Sequence, residues 1–181
     1  EAERMNRLIG NLLDLTRLSD GSIHLRNDWI ALDELLGAVL ARLRELLARH
    51  PVTLRIPDDL PLLPGDEVML EQLLSNLLEN AVRHTPPGAR IEISANADEA
   101  TLTFAVRDHG PGCAPGETTL GFEKFHQARS ESAQRGFGLG LAICKAIVEA
   151  HQGTIVADNA TGGGAEFRVA LPLRMPDGTV S

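Results

Sequence analysis

The stretch EVMLEQLLSNLLENAVRHTP, residues 67–86, organises the rest of the chain. Asp66 is a good N-cap residue and Pro86 cannot continue a helix, so the stretch predicts one helix of about five turns. Its apolar residues recur at three- and four-residue steps and form a wide face that requires burial. These residues are Leu70, Leu73, Leu74, Leu77, Leu78, Ala81 and Val82.

Beside the apolar face, the same helix carries a polar stripe. Its members are Gln72, Asn76, Asn80 and His84. Residues four apart stack on one side of a helix, so these side chains share one edge. Asn is a poor helix former because its amide competes with the backbone for hydrogen bonds. The stripe is therefore either a solvated helix face or a polar rim that faces a ligand, and both explanations fit this helix.

Composition limits the class of protein. A chain of 181 residues, 43% of them hydrophobic, fits one domain or one domain with an appendage. The net charge of -8 argues against a nucleic-acid surface. No apolar run approaches the roughly 20 residues that span a bilayer. Cys113 and Cys144 indicate reduced thiols without a disulfide, and no zinc-type spacing of His or Cys occurs.

The N-terminal residues predict a long amphipathic helix over 1–19. Its apolar residues form a narrow seam, at Met5, Leu8, Ile9, Leu12, Leu15 and Leu18. Asp20 and Gly21 end this helix. Because an exposed seam of this kind is insoluble alone, we expect the chain to self-associate through it. The chain opens inside the helix, so we also expect a partner helix upstream.

The remaining pattern predicts strands and helices that segregate along the chain rather than strictly alternate. Strands are expected at 23–30, 52–56, 90–95, 101–107, 153–158 and 165–171, and helices at 33–49 and 137–151. A long Gly- and Pro-rich loop spans 108–135. This order is typical of a two-layer α/β sandwich of the α+β type, with helices on one face of a mixed sheet.

Three short motifs carry chemistry. DHGPG at 108–112 directly follows a predicted strand, FEKF at 122–125 lies in the long loop, and GFGLG at 136–140 opens a helix. Glycines at a helix start let backbone N–H groups close on a phosphate. Each motif alone is a weak signal, because glycines also serve turns and tight packing. The absence of a preceding strand argues against a dinucleotide-binding fold at GFGLG.

Taken in order, these signals resemble the ATP-binding domain of sensor histidine kinases, which shares the GHKL or Bergerat fold of gyrase, Hsp90 and MutL. NLLENAVRHTP at 76–86 is similar to the family's N box, DHGPG to its G1 box, FEKF to its F box and GFGLGLAI to its G2 box. RLIGNLLDLTRLSDG resembles the second helix of the dimerisation hairpin, and the whole is especially close to potassium-sensing kinases of the KdpD type. The implied domains are 1–21 for the hairpin helix, 22–175 for the catalytic domain and 176–181 for a tail.

The resemblance implies Mg²⁺ and ATP as cofactors, with a role for each matching residue. Asn80 is expected to bind Mg²⁺ through its amide oxygen, and Asp108 to accept a hydrogen bond from the adenine amino group. His84 is expected along the adenine or ribose. The full set of implied ATP-binding residues is Asn76, Asn80, Arg83, His84, Asp108, Gly110, Gly112, Lys124, Arg135, Gly136, Gly138, Leu139 and Gly140.

Transfer of the γ-phosphoryl group is expected to depend on the cations of the lid and on Asn76. Lys124 and Arg135 are expected nearest the γ-phosphate, and Arg83 takes the place of a basic residue that reaches the phosphates. The catalytic roles are assigned to Asn76 and Arg135. Where related hydrolases carry Glu, this chain has Asn76, and an amide cannot act as a general base. The resemblance therefore implies a protein-histidine kinase rather than an ATPase.

The phospho-acceptor His of the family lies on a hairpin helix upstream, and residues 1–20 contain no His. We therefore expect the chain to bind Mg-ATP without phosphorylating itself. The implied partners are a second copy through the N-terminal helix and the receiver domain of a response regulator, with no nucleic acid. The expected location is the cytoplasmic portion of an inner-membrane-anchored sensor. Two alternatives on the same fold are an anti-sigma-type serine kinase and a non-catalytic signalling scaffold.

Overall fold

A computed structural model describes residues 25–112 and 139–174. The helices are α1 (Leu32–Arg42), α2 (Arg44–Leu47), α3 (Glu67–His84) and α4 (Leu139–Ala150). The strands are β1 (Asp28–Ile30), β2 (Val52–Arg55), β3 (Leu63–Gly65), β4 (Ile91–Ala97), β5 (Thr101–Asp108), β6 (Thr154–Asn159) and β7 (Ala165–Pro172). The helix expected at 1–19, most of the long loop and the tail lie outside the described residues.

The main sheet is mixed, as the sequence predicts. Its five strands run in the order β2-β4-β5-β7-β6. β2 pairs with β4 in parallel, whereas every other neighbouring pair is antiparallel. β1 and β3 form a separate antiparallel pair, in which Trp29 lies opposite Pro64. The sheet is open, and the arrangement is the expected α/β sandwich.

One face of the sheet supports the helices. Ile91 and Ile93 on β4 and Val169 on β7 are completely or almost completely buried, while the residues between them are more exposed. This alternation puts every second side chain into a core shared with the helices. α3 contributes its predicted apolar face to that core, with Leu70, Leu73, Leu74, Leu77, Leu78 and Ala81 buried and Val82 partly exposed.

α3 and α4 pack against each other in opposite directions. At one end, the backbone N–H of Asp66 donates to Nε2 of His151, just beyond the last residue of α4. In the middle, the Cys144 thiol donates weakly to the Leu73 carbonyl at 3.9 Å. The first turn of α4 therefore lies towards the C-terminal end of α3. Asp66 caps α3 as predicted, because its Oδ1 accepts from the Met69 N–H at 3.2 Å.

Several details differ from the sequence-based expectation. The helix expected at 33–49 divides at Leu43, whose backbone (φ -88, ψ 10) leaves the helical region. β3 was not predicted, because Pro64 and Gly65 are residues typical of loops rather than of strand interiors. Trp29 on β1 is 57% exposed. Within the described ranges, no helix is long and apolar enough to cross a membrane.

Candidate functional site

The carboxylate of Asp108 is the most unusual polar group in the described structure. It ends β5 and is only 2% exposed. Its Oδ1 atom accepts two backbone hydrogen bonds, from Gly110 at 2.9 Å and from Ala165 at 3.2 Å. A buried carboxylate is costly unless hydrogen bonds satisfy it, and because it only accepts, it is suited to take a further hydrogen bond from a ligand.

The loop that follows Asp108 lies against the C-terminal end of α3. A Cβ atom built on Gly110 would approach the His84 carbonyl oxygen to 2.5 Å, closer than side chains tolerate. Gly110 therefore permits the close approach of loop and helix. Because Asn80 stands one helical turn before His84, the polar stripe of α3 ends at the same corner as Asp108.

The glycine-rich turn before β7 also contacts this corner, which the sequence did not reveal. Gly164 has φ +86, and a Cβ atom there would lie 1.8 Å from the Asp108 carbonyl oxygen. The Arg107 guanidinium holds the turn by donating to the Thr161 carbonyl at 2.8 Å. The run of three glycines at 162–164 contains more glycines than a hairpin turn requires, and this excess was the sequence signal for a close contact here.

The polar stripe of α3 is neither fully buried nor fully exposed. All four of its side chains, Gln72, Asn76, Asn80 and His84, are partly buried. Partial burial fits both explanations, a partly solvated helix face and a polar rim of a ligand site. Arg83, between the stripe and Thr85, is exposed.

Asn76 presents one side of its amide to the protein interior. Its Nδ2 atom is buried and approaches the thiol of Cys144, a weak acceptor, without reaching regular hydrogen-bond geometry. Burial raises the pKa of the Cys144 thiol far above its ordinary value. Cys144 therefore stays a neutral packing residue in α4 and is not a nucleophile.

The start of α4 is open. α4 begins at Leu139, and a Cβ atom on Gly140 would meet no heavy atom of the described residues within 4 Å. Gly112, unlike Gly140, has no free space beside it, because a Cβ atom added to Gly112 would lie 2.8 Å from Oδ1 of Asn159. The remaining candidates Lys124, Arg135, Gly136 and Gly138 lie outside the described residues, as does the side chain of Leu139.

Two surface cavities lie away from this corner. One, of about 300 Å³, is lined by Trp29, Glu34 and Glu67 among others. The other, of about 260 Å³, lies on the outer face of the sheet beside Arg168. Neither is lined by a residue of the polar stripe or by Asp108. The described part of the chain also holds no group of three His, Cys, Asp or Glu suited to a metal ion.

Known proteins of one family match this chain. The model of the "histidine kinase-, DNA gyrase B-, and HSP90-like ATPase" family matches residues 65–175, more than half of the chain. The sensor protein KdpD of Escherichia coli is 45% identical over 166 residues, which are 92% of this chain and 18% of KdpD. The histidine-protein kinase BaeS of the same organism is 34% identical over 177 residues, covering 96% of this chain and 38% of BaeS.

Solved structures agree with these relatives. The mycobacterial sensor histidine kinase MprB superposes with a TM-score of 0.69 at 28% identity, covering 82% of this chain and 98% of that one. Full-length ShkA, solved with AMPPNP, gives 0.80 at 26% identity, covering 96% of this chain and 36% of ShkA. This chain spans about a fifth of the length of the KdpD relatives that it matches. It belongs to the histidine kinase-, DNA gyrase B- and HSP90-like ATPase family, and it carries the ATP-binding catalytic domain of the sensor histidine kinases.

Proposed function

We propose that this domain binds Mg-ATP at the corner formed by Asp108, the end of α3 and the start of α4. In the parent protein, the γ-phosphoryl group would pass to a His on a dimerisation hairpin and then to an Asp of a response regulator. The observation that carries the proposal is the buried Asp108 carboxylate, which lies where the end of α3, the loop after β5 and the glycine turn at 162–164 meet.

Asp108 is suited to read the base. A carboxylate accepts hydrogen bonds but cannot donate them, so Oδ2 matches the exocyclic amino group of adenine. Guanine carries a carbonyl oxygen at that position, and two acceptors facing each other repel. Because a site built for one hydrogen-bonding partner strongly rejects its opposite, we expect ATP to bind much more tightly than GTP.

Mg²⁺ fits the donor set at this corner. It is bound in nucleotide sites by one or two protein oxygens, several waters and the phosphates, so a cluster of carboxylates is not required. Asn80 would supply an amide oxygen, and a bound Mg²⁺ would neutralise phosphate charge. Arg83, Lys124 and Arg135 would add positive charge along the phosphates, with Gly136, Gly138 and Gly140 giving backbone access.

The residue one turn before Asn80 favours phosphoryl transfer over hydrolysis. Asn76 carries an amide, which cannot take a proton from water as a carboxylate does. Its Nδ2 side faces the Cys144 thiol, which keeps the group oriented rather than free to reposition. We therefore propose that Asn76 and Arg135 position the reacting phosphate, and that water attacks it slowly.

The organisation of the parent protein follows from the same proposal. Residues 1–21 would form the second helix of a hairpin that pairs with another copy, and residues 22–175 would form the catalytic domain. The parent would be a membrane-anchored sensor with this part in the cytoplasm. A response-regulator receiver domain would be its partner.

Calorimetric titration of Mg-ATP and Mg-GTP into the wild type and Asp108→Asn tests the site. Asn keeps an oxygen for the Gly110 and Ala165 N–H groups, so the fold is expected to remain stable. It puts an NH₂ group against the adenine amino group, which is expected to weaken ATP binding by about tenfold to a hundredfold. Asn80→Ala should remove the dependence of affinity on Mg²⁺.

A wild type that binds ATP and GTP equally, or an Asp108→Asn variant with unchanged affinity, would contradict the proposal. Circular dichroism of each variant provides the control for folding. To test transfer, the chain is mixed with a hairpin that contains the acceptor His and with labelled ATP. Acid-labile label on that hairpin is the expected result, whereas label on Ser would contradict histidine kinase activity.

A further inference from the structure

The side chain of Arg107 ties β5 to the glycine-rich turn at 161–164, which precedes β7. Its Nη2 atom donates to the Thr161 carbonyl at 2.8 Å and to the Gly163 carbonyl at 3.4 Å. Arg107 directly precedes Asp108, and successive side chains of a strand point to opposite faces. Asp108 is accordingly buried in the core, whereas Arg107 lies on the outer face of the sheet.

Two carboxylates flank Arg107 across the sheet. The strand register places Glu92 of β4 on one side and Glu166 of β7 on the other. Each of them is paired with another arginine, Glu92 with Arg90 at 3.4 Å and Glu166 with Arg168. The Arg107 guanidinium donates to the carbonyls of the turn although these carboxylates are near. Its placement therefore serves the turn.

The backbone of the turn explains why it needs such support. Gly162, Gly163 and Gly164 have φ values of +92, +100 and +86, in a region that residues with a side chain rarely adopt. Glycine also loses more conformational freedom on ordering than any other residue. Within the turn, the Ala160 N–H donates to the Gly164 carbonyl at 2.9 Å, and the Gly163 N–H donates to Ala160 at 3.0 Å. The guanidinium adds a tie between the turn and β5.

The end of the turn holds the Asp108 carboxylate. The Ala165 N–H, directly after Gly164, donates to Oδ1 of Asp108 at 3.2 Å. The Gly110 N–H donates to the same atom at 2.9 Å, but this bond spans two residues and is independent of the turn. The Ala165 bond depends on where the turn places its last residue. Because the main chain of Asp108 is fixed in β5, the position of Oδ1 sets the orientation of the carboxylate.

We propose that Arg107 is a positioning residue for base recognition, which acts on Asp108 through the glycine turn. This inference rests on the proposed function of Asp108. By holding the Thr161 and Gly163 carbonyls, the guanidinium keeps the Ala165 N–H on Oδ1 before nucleotide binds. Less ordering then remains for the ligand to impose. Arg107 acts from the other face of the sheet, without touching the base.

A double-mutant cycle in ATP affinity tests this role. Mg-ATP is titrated calorimetrically into the wild type, Arg107→Met, Asp108→Asn and the double variant. Met keeps an aliphatic chain but has no donor, so the Kd is expected to rise about fivefold. In the Asp108→Asn background, the same substitution is expected to change the Kd by less than about twofold, because the group that Arg107 orients no longer accepts from adenine. A fivefold loss in both backgrounds would overturn the inference.

Arg168→Met is the matched control. It removes the same charge from the outer face of the neighbouring strand β7, but Arg168 is paired with Glu166. Its Kd for ATP is expected to stay within about twofold of the wild-type value. Arg107→Lys keeps the charge and can donate to a carbonyl, so it is expected to retain most of the affinity. Equal losses for Arg168→Met and Arg107→Met would reduce the effect to net charge and overturn the positioning role.

Amide hydrogen exchange without nucleotide tests the coupling itself. In Arg107→Met, the Ala165 amide is expected to exchange about tenfold faster than in the wild type. The Ile91 amide, which donates to the Pro51 carbonyl at 2.9 Å on the other side of the sheet, is expected to keep its rate. Unchanged exchange at Ala165 overturns the inference. If Arg107→Met does not fold, Arg107→Gln replaces it in both measurements, with the same expected directions.

The two proposals fail in different ways. If Asp108→Asn weakens ATP binding while Arg107→Met leaves the Kd and the Ala165 exchange rate unchanged, only the role of Arg107 is refuted. If the wild type does not bind ATP, the proposed function is refuted, and the role of Arg107 in base recognition is refuted with it.

Discussion

The two ends of the α3–α4 pair differ in how their polar groups are used. At one end, His151 is buried and bonded through both ring nitrogens, donating from Nδ1 to the Ile147 carbonyl at 2.7 Å and accepting at Nε2 from Asp66. The Asp66 carboxylate is also fully engaged, with Met69 and Arg26 as backbone donors. We call this the closed end. Its polar groups are partners of one another.

The opposite end, with Asp108, Asn80 and Gly140, we call the open end. There, two backbone N–H groups hold the Asp108 carboxylate through Oδ1, and a Cβ atom added to Gly140 would meet no described atom within 4 Å outside its neighbours and its own helix backbone. At both ends, polar side chains lie beside the apolar residues of the core. We infer from this difference that the closed end uses its hydrogen bonds for folding, whereas the open end is the place for the ligand proposed above.

The largest expected effect comes from breaking the closed end with His151→Ala. The substitution leaves a cavity. It also removes the acceptor of the Asp66 N–H and the donor to the Ile147 carbonyl, so the free energy of unfolding is expected to fall by about 3 kcal/mol. Urea unfolding measures the loss. ATP affinity of the folded protein should stay near the wild-type value, and a parallel loss of affinity would mean that the two ends are coupled. Glu149→Ala, on the exposed side of α4, should change stability by at most about 0.5 kcal/mol.

The second prediction sharpens the comparison at the open end through Gly140→Ala. A methyl group there meets no described protein atom, and Ala is the better helix former, so stability is expected to rise by about 0.5–1 kcal/mol. ATP affinity is nevertheless expected to fall by about tenfold, because the methyl group would occupy the space proposed for the phosphates. Calorimetry and urea unfolding are both needed.

The control for that prediction is Gly37→Ala. Gly37 also lies within a helix, α1, and its added Cβ atom would likewise meet nothing in the described residues within 4 Å. The same gain in stability is expected, with no change in ATP affinity. Equal affinities for the two variants would contradict the assignment of a ligand to the open end.

The smallest expected effect is the pH dependence of stability that the closed end produces. Burial lowers the pKa of His151 below its ordinary value of 6.5, although its bond to Ile147 and the charge of Asp66 oppose that shift. The unfolded chain therefore binds a proton more readily than the folded one. The contribution of His151 is fully present above about pH 6.5 and is lost as the pH falls below it.

Urea unfolding at a series of pH values measures this contribution. His151→Gln cannot titrate, so its stability should depend less on pH between about 5 and 7 than that of the wild type. Glu92 acts in a separate, more acidic window, because its lowered pKa lies below 4.5 and its contribution is lost only as the pH falls through that value. Identical pH profiles for wild type and His151→Gln would contradict the role of His151.

Much of the fold could be predicted because its signals are local. The three- and four-residue steps in α3 identified a buried helix, and Asp66 marked its start. The strand pairs β4–β5 and β6–β7 followed from alternation and turn residues. β3 and the break at Leu43 could not be predicted, because a three-residue strand with Pro64 and Gly65 has no periodic pattern and helical propensity continues through Leu43.

The candidate site was predictable in part for the same reason. Asp108 and Gly110 belong to one short motif, and their contact, from Gly110 N–H to Oδ1 of Asp108, spans two residues. The contact of Asp108 with Ala165 spans 57 residues, and that of Asp66 with His151 spans 85. No periodicity encodes such pairings. His151 accordingly has no sequence signal that marks its role, although it is buried and bonded at both nitrogens.

The sequence by itself determined the elements, the apolar faces to be buried and the motif order by which the family is recognised. These features depend on spacing along the chain, because the periodic backbone of a helix or strand places regularly spaced residues on one shared face. Only the tertiary structure decided which distant polar groups meet, such as Asp66 with His151 and Asp108 with Ala165. These pairings arise when distant segments, such as the glycine turn at 161–164 and the end of β5, pack against each other and exclude water.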